Sequence, residues 1–278
     1  MINISLNLLS FLGKIFRYSP FYPYLIYFYF CWKDNKMLVD HFAGDCIEIG
    51  AGSLQFKEFV TKNNQLIKSY TVSDYYDANE DIHYEFNKYL TKNKIFQKFY
   101  TEIVGKTVNI RNYDLNLDCR NLSQIQNEKY DTYFASEVFE HVDDLDKTLK
   151  EANRILRKGG KIILTVPFMY QEHGPLIHDD YHQDFNRLTR TGWEYILKKN
   201  YFKNILIFSN VSYPLSIAQQ LPALIINKFR KINFFLKTLF LIPILISFFL
   251  INIFCLLFHF ILGKNNNSLG RFNIIAEK

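Results

Sequence analysis

The stretch from Leu145 to Val166 constrains the fold more than any other part of this chain. Apolar residues recur at helical spacing at Leu145, Leu149, Ala152, Ile155 and Leu156, which predicts a helix over Leu145 to Arg157. Lys158-Gly159-Gly160 then stops it, with cations in the last turn and glycine just past the end. Lys161 to Val166 (KIILTV) follows as a near-continuous β-branched run, the pattern of a strand buried on both faces.

The pattern repeats along the chain. Asp45 to Gly50 (DCIEIG), Ser69 to Asp74 (SYTVSD) and Lys129 to Ala135 (KYDTYFA) read as short strands, and so does Asn204 to Val211. Thr191 to Asn200 reads as a helix. Strands alternating with helices predict an α/β fold with a mostly parallel, doubly wound sheet.

Composition narrows the class. The chain has 278 residues, enough for one large domain with a good core. Hydrophobic residues at 49% and charged residues at 22% exclude a disordered or collagen-like chain. The net charge of +6 suits an anionic membrane surface or a phosphorylated substrate. No basic stripe argues for nucleic acid. Cys31, Cys46, Cys119 and Cys255 are far apart, which reads as reduced thiols rather than a disulfide framework or a zinc site. Met1 to Gly13 is apolar but lacks the basic start and cleavage site of a secretory signal.

Glu48-Ile49-Gly50-Ala51-Gly52 joins a predicted strand to a predicted helix. Glycines there let backbone approach a ligand at the carboxyl end of a strand, where open α/β sheets bind ligands. A dinucleotide fingerprint needs glycine at position 55, which is Gln55, and no Gly-Lys-Ser/Thr supports a P-loop. An acid two residues before the first glycine and a second, Asp74, ending the next strand suit a ligand with a sulfonium, an ammonium and ribose hydroxyls; both would repel pyrophosphate.

These residues resemble the class I S-adenosylmethionine-dependent methyltransferases of the type 11 group. Glu48, Gly50 and Gly52 match the first motif, acid-x-Gly-x-Gly. Tyr130-Asp131 through Ser136-Glu137-Val138-Phe139-Glu140-His141-Val142 resembles the "FD…EVLEHV" stretch, and Arg154 to Gly160 the "RvLkpGG" stretch before the fifth strand. The resemblance covers Asp45 to Phe168 in order. It implies a Rossmann-like, seven-stranded, mostly parallel sheet with helices on both faces, and S-adenosylmethionine as cofactor. It implies cofactor binding by Glu48, Gly50, Ala51, Gly52, Asp74 for the ribose, and Asp118 for the adenine, with Asp114 as a competitor. The sequence departs at Leu54, where a third glycine is common. The long gap from Asp74 to Asp118 suggests an inserted helical piece around Asn79 to Lys106.

The loop after the fifth strand is where the acceptor is expected. Val166-Pro167-Phe168, His173 and Asp184-Phe185-x-Arg187-Leu188-Thr189 resemble a subset of the group that sits among surface-polysaccharide and lipid-linked glycan functions. A hydroxyl acceptor calls for a general base, for which His173 is the first candidate and His182 the second. Glu137 and His141, at the end of the fourth strand, are further catalytic candidates. Asp184 and Arg187 equally suit a pair that shapes the loop, with Thr189 capping the next helix. His178, His182 and their aspartate neighbours can in principle bind a metal, but a solvated loop is the preferred reading and no metal site is assigned. No Asn-Pro-Pro-Tyr motif follows the fourth strand, which argues against base modification.

The ends differ in character. Residues 1–44 are apolar and aromatic, and Phe21 to Trp32 is too short to span a bilayer. They read as an N-terminal cover on a methyltransferase core at 45–211. Residues 212–270 form an apolar helical insert, and 271–278 return as a final strand. Leu239 to Leu262 is long enough to cross about 30 Å of hydrocarbon. A single crossing would leave Phe272 to Ala276 on the wrong side of the bilayer. The preferred reading is a re-entrant or interfacial hairpin on the cytoplasmic side, with a single-pass helix and a buried soluble cap as alternatives. Together these features predict a methyltransferase acting on a glycan, lipid-linked or other small acceptor at a membrane, with a non-catalytic cofactor-binding scaffold as the alternative. A nicotinamide oxidoreductase is disfavoured by Gln55 and Glu48.

Overall fold

The structure is a computed structural model, and it describes residues 15–52, 55–75, 113–170, 172, 184–231, 233–262 and 270–278. Leu54, the inserted piece around Asn79 to Lys106, His173, His178 and His182 lie outside the described residues.

Seven strands form one sheet. They are β1 (Gly44–Ile49), β2 (Ile67–Asp74), β3 (Leu115–Asn116), β4 (Tyr130–Ser136), β5 (Leu156–Pro167), β6 (Lys203–Phe208) and β7 (Arg271–Glu277). Their spatial order is β3-β2-β1-β4-β5-β7-β6. All neighbours are parallel except β7, which runs antiparallel to both β5 and β6. The order reverses between β1 and β4, so the carboxyl ends of β1, β2 and β4 flank the switch point where open α/β sheets take ligands. This is the Rossmann-like methyltransferase fold, with an additional helix before the last strand.

Helices cover both faces. On one face α3 (Leu145–Ile155) and α4 (Arg190–Lys199) bury Leu149, Ala152, Trp193 and Leu197 against Ile47, Ile49, Tyr133, Ile162 and Leu164. On the other, α1 (Leu25–Val39) and α2 (Gln55–Asn63) deliver Leu38, Val39 and Val60 to Cys46, Phe134, Ile163 and Ile275. The period-two alternation of the strands decides which side chain meets which face.

Helix α3 ends at Ile155, two residues short of the expected Arg157, and Leu156 is already extended. The reason is local. Arg157 reaches Asp131 and, at 2.9 Å, Asp45, which holds the chain at the sheet's edge before the ladder resumes at Lys161. Gly159 takes up the left-handed turn at φ +76°.

Two further helices, α5 (Tyr213–Lys231) and α6 (Phe234–Leu262), lie between β6 and β7. They pack on each other as a hairpin. Both ends return to the carboxyl edge of the sheet: the Gly270 N–H donates to the Val211 carbonyl at 2.8 Å, and Ser212 Oγ meets His259 Nδ1 at 2.8 Å.

Candidate active site

Gly50 and Gly52 both sit in the left-handed region, at φ +67° and +51°. A Cβ on Gly50 would stand 2.4 Å from Val138 Cγ2, so only glycine lets the β1 turn pass the end of β4. The turn is tied down on its other side. The Ala51 N–H donates to the Ser73 carbonyl at 3.0 Å, and the Gly52 N–H to Asp74 Oδ2 at 3.0 Å. The Tyr113 hydroxyl donates to the Gly52 carbonyl at 2.7 Å. Gly50, Ala51, Gly52 and Asp74 thus converge on one crevice.

Glu48 is buried beside this turn, and its carboxylate accepts from the Tyr70 hydroxyl at 2.9 Å. Burial pushes its pKa up to about 8, against the opposing Tyr70 hydrogen bond and with help from nearby Asp74. Asp114 has a different job: its Oδ2 accepts from the Val72 N–H at 2.8 Å and its own N–H donates to the Val72 carbonyl, closing the free edge of β2. Asp118 grips Arg120 through both carboxylate oxygens, and Arg120 bridges on to Asp143 at 2.8 Å.

Glu137 follows β4 in a left-handed conformation, φ +55°, unusual for a residue with a side chain. Its Oε1 accepts from Thr165 Oγ1 at 3.0 Å and lies 3.2 Å from Arg271 Nη2. Arg271 opens β7 opposite Pro167, and its side chain is only 8% exposed. Sequence reasoning missed Arg271 and Thr165. The signal was there, since an antiparallel last strand must begin at the same edge where its parallel neighbours end.

Glu140 and His141 occupy a 3₁₀ turn, Phe139–His141. The Glu140 side chain is fully buried, and among the described residues neither oxygen has a hydrogen-bond partner; the His141 ring stands 3.6 Å away. Burial, then the charge of Glu137, raises its pKa to about 9. The Glu140 carbonyl accepts from the Phe185 and Asn186 N–H groups, which docks the 184–187 segment here. Asp184 pairs with Arg187, and Thr189 caps α4 by accepting from the Gly192 N–H at 3.2 Å. Among the described residues no group of three His, Cys, Asp or Glu could hold a metal ion.

The crevice fits S-adenosylmethionine. It combines a glycine turn that a Cβ would fill, a buried carboxyl at the strand end and a second carboxylate at the end of β2. A family model described as "Methyltransferase domain" matches residues 81–164, less than half of the chain and beginning after the Gly50–Gly52 turn. A search of curated protein sequences returns no match. Solved structures similar to the chain include a putative sarcosine dimethylglycine methyltransferase from Galdieria sulphuraria, 15% identical with a TM-score of 0.48 over 90% of this chain and 84% of that one. Another is a SAM-dependent methyltransferase from Archaeoglobus fulgidus, 13% identical with a TM-score of 0.47, covering 96% of this chain and 98% of that one. A third is the Haemonchus contortus phosphoethanolamine N-methyltransferase 2 with S-adenosylmethionine bound, 13% identical with a TM-score of 0.47. That match covers 89% of this chain and only 52% of the other, so this chain spans about half its length. At these identities and scores the structural likenesses carry no argument about activity. The sequence match is thus to a methyltransferase domain over residues 81–164, next to a crevice whose residues fit S-adenosylmethionine.

Proposed function

We propose that this enzyme O-methylates a glycan or lipid-linked small acceptor at a membrane surface. The observation that carries the reading is one of placement. The apolar α5–α6 hairpin is inserted at the carboxyl edge of the sheet, the same edge that bears Gly50, Asp74, Glu137 and Arg271. An acceptor approaching this edge meets an apolar surface on one side and the cofactor crevice on the other.

In this reading Gly50, Ala51 and Gly52 receive the cofactor against backbone, Asp74 takes the ribose hydroxyls, Glu48 faces the amino-acid end, and Asp118 is assigned to the adenine. The bound cofactor supplies an electrophilic methyl group on a sulfonium. The protein's task is to align the acceptor in line with that group, which can account for most of the barrier reduction. His173 is the proposed base for the acceptor hydroxyl, with His182 second. Glu137 and His141 border the same edge, and Glu137 is pre-oriented by Arg271 and Thr165.

The test is calorimetric titration of S-adenosylmethionine and S-adenosylhomocysteine into detergent-purified protein, with Gly50→Arg as the control. Micromolar binding that the substitution abolishes is expected, and would be followed by screening membrane glycolipids for radiolabelled methyl transfer. Transfer to amine or carbon acceptors alone would overturn the O-methylation reading.

A further inference from the structure

We propose that α6 lies in the plane of one leaflet of an anionic bilayer, held along its length by the protein and leaving the carboxyl edge of the sheet at the lipid surface. The inference rests on the membrane half of the reading above and not on the transfer chemistry.

Three observations converge. The first is the surface of α6. Its 29 residues include Leu239–Leu262, a run free of Asp, Glu, Lys and Arg. Among the described residues one seam is buried, at Phe248, Asn252 and Cys255. Ile242, Ile246, Leu250, Phe254 and Ile261 are exposed on the rest of its circumference. The Ser247 hydroxyl is turned back onto the Pro243 carbonyl at 2.9 Å. Such a patch exceeds what a soluble monomer shows to water and suits hydrocarbon.

The second is how the seam is held. Asn252 Nδ2 donates to the Pro20 and Tyr22 carbonyls at 3.1 and 2.8 Å. Phe249 stacks on Phe21, and the His259 ring meets Phe30 at 4.5 Å between centroids. These contacts bind α6 side-on to the N-terminal segment and α1. The Gly270–Val211 and Ser212–His259 contacts bring both ends of the hairpin back to one sheet edge. A helix crossing alone would have to give up this side-on packing and take β7 with it.

The third is charge. All acids of the chain fall between Asp34 and Glu194, apart from Glu277. Residues 1–33 and 195–276, which include α5, α6 and the Pro20, Tyr22 and Phe30 contacts of α6, contain none, yet they carry twelve Lys and Arg, Lys33 and Lys228 among them. On α1 the exposed aromatics Phe28, Tyr29 and Trp32 are followed by lysines, with Lys36 Nζ 4.1 Å from the centre of the Trp32 ring. Aromatic side chains next to lysines match the interfacial belt and the anionic headgroups beyond it, with Asp40 the one exposed acid at the end of α1. Lys228 is exposed toward the far end of the hairpin, so cations stand near both ends of α6, where an in-plane helix can place them at headgroups.

Flotation of the full chain with phosphatidylcholine vesicles, with and without phosphatidylglycerol, tests the docking. We expect binding that phosphatidylglycerol strengthens and salt weakens. Leu250→Glu combined with Phe254→Glu should reduce flotation by about tenfold or more, because each places a charge in hydrocarbon, while the thermal unfolding of the domain is unchanged. Flotation unaffected by the pair, or absent in the folded wild type, overturns the proposal. Orientation is read separately with Lys228→Cys and a membrane-impermeant maleimide, since the four native cysteines are buried. Labelling on intact vesicles at the rate seen in detergent supports the in-plane helix. Protection until detergent is added means a crossing hairpin and overturns it. Neither measurement involves S-adenosylmethionine, so their failure is distinguishable from failure of the transferase reading.

Discussion

Arg271 Nη2 lies 3.2 Å from Glu137 Oε1, joining the first residue of the last strand to the residue that follows β4. The guanidinium is buried and the carboxylate is 38% exposed. The pair therefore ties the returning chain, after the apolar insert, to the acceptor edge of the sheet. Arg271→Met removes the charge that orients Glu137 and lets that carboxylate turn toward water. Because Glu137 can rehydrate, the loss in stability should fall near or below the low end for breaking a buried pair, about 3 kcal/mol. Urea unfolding measures it. Titration of S-adenosylmethionine should be little affected, and a large loss of cofactor affinity would contradict the acceptor-side placement.

Glu140 gives a pH signature. Its folded pKa is about 9 against an ordinary 4.5, raised first by burial and then by Glu137. The folded state therefore holds a proton that the unfolded state releases above about 4.5. Stability from this group is fully present below that pH and is lost as pH rises toward 9. Glu140→Gln should remove this slope. Thermal melts are expected to show little difference from wild type near pH 5 and a gain in Tm at pH 8. Parallel pH profiles for the two proteins would contradict the assignment.

Much of the fold was legible because its strands are buried on both faces and their apolar runs are nearly continuous, as at Lys161–Val166. The glycine turn was legible because Gly50 has no substitute beside Val138. Other parts had no local signal. β3 is two residues long, and Asp114 finishes the β2 edge in its place through side-chain and backbone bonds. Arg271 was legible only as the start of a last strand, and the antiparallel return of β7 is what buries it next to Glu137. In α1 the density of aromatics hid the periodicity, so Ile26, Phe30 and Cys31 did not stand out as the buried face that meets Val211 and Leu215.

Glu48 should couple cofactor binding to proton release. Its pKa of about 8 leaves it mostly protonated at neutral pH, and burial is the main cause. A cationic ammonium brought near it favours the ionised form, so binding expels the proton. Affinity for S-adenosylmethionine should then rise with pH up to about 8, by at most about tenfold per pH unit, and level off above. Calorimetry in two buffers of different ionisation enthalpy reads the proton directly. Glu48→Gln should flatten the profile. A flat wild-type profile would remove Glu48 from the cofactor site.

The contact between Gly50 and Val138 can be isolated by a double-mutant cycle. Gly50→Ala pays for a left-handed backbone, about 1–2 kcal/mol, and for a Cβ 2.4 Å from Val138 Cγ2. Val138→Ala removes the second cost and leaves the first. The double variant is expected to be more stable than the two single losses predict, by about 1 kcal/mol, in the range seen for residues in contact. Strict additivity would show that the two residues do not meet.

Asn252 offers a test of how the N-terminal segment is fastened. It is a buried polar residue inside an otherwise apolar helix, and its amide donates to two carbonyls, those of Pro20 and Tyr22. Its own Oδ1 has no hydrogen-bond partner among the described residues. Asn252→Leu takes the amide from the Pro20 carbonyl and leaves the Tyr22 carbonyl with the Leu25 N–H alone, which costs about 1–3 kcal/mol for a buried acceptor, and at the same time removes the unsatisfied oxygen, which offsets part of that loss. The net effect on global unfolding should be small and the effect on local opening larger, because Pro20 and Tyr22 precede α1 and the amide joins them directly to α6. Limited proteolysis should therefore cut ahead of Leu25 faster in the variant, while cofactor affinity is retained. Equal cleavage rates would mean that the stacking of Phe21 on Phe249 and the packing of Phe30 against His259 hold the segment without the amide.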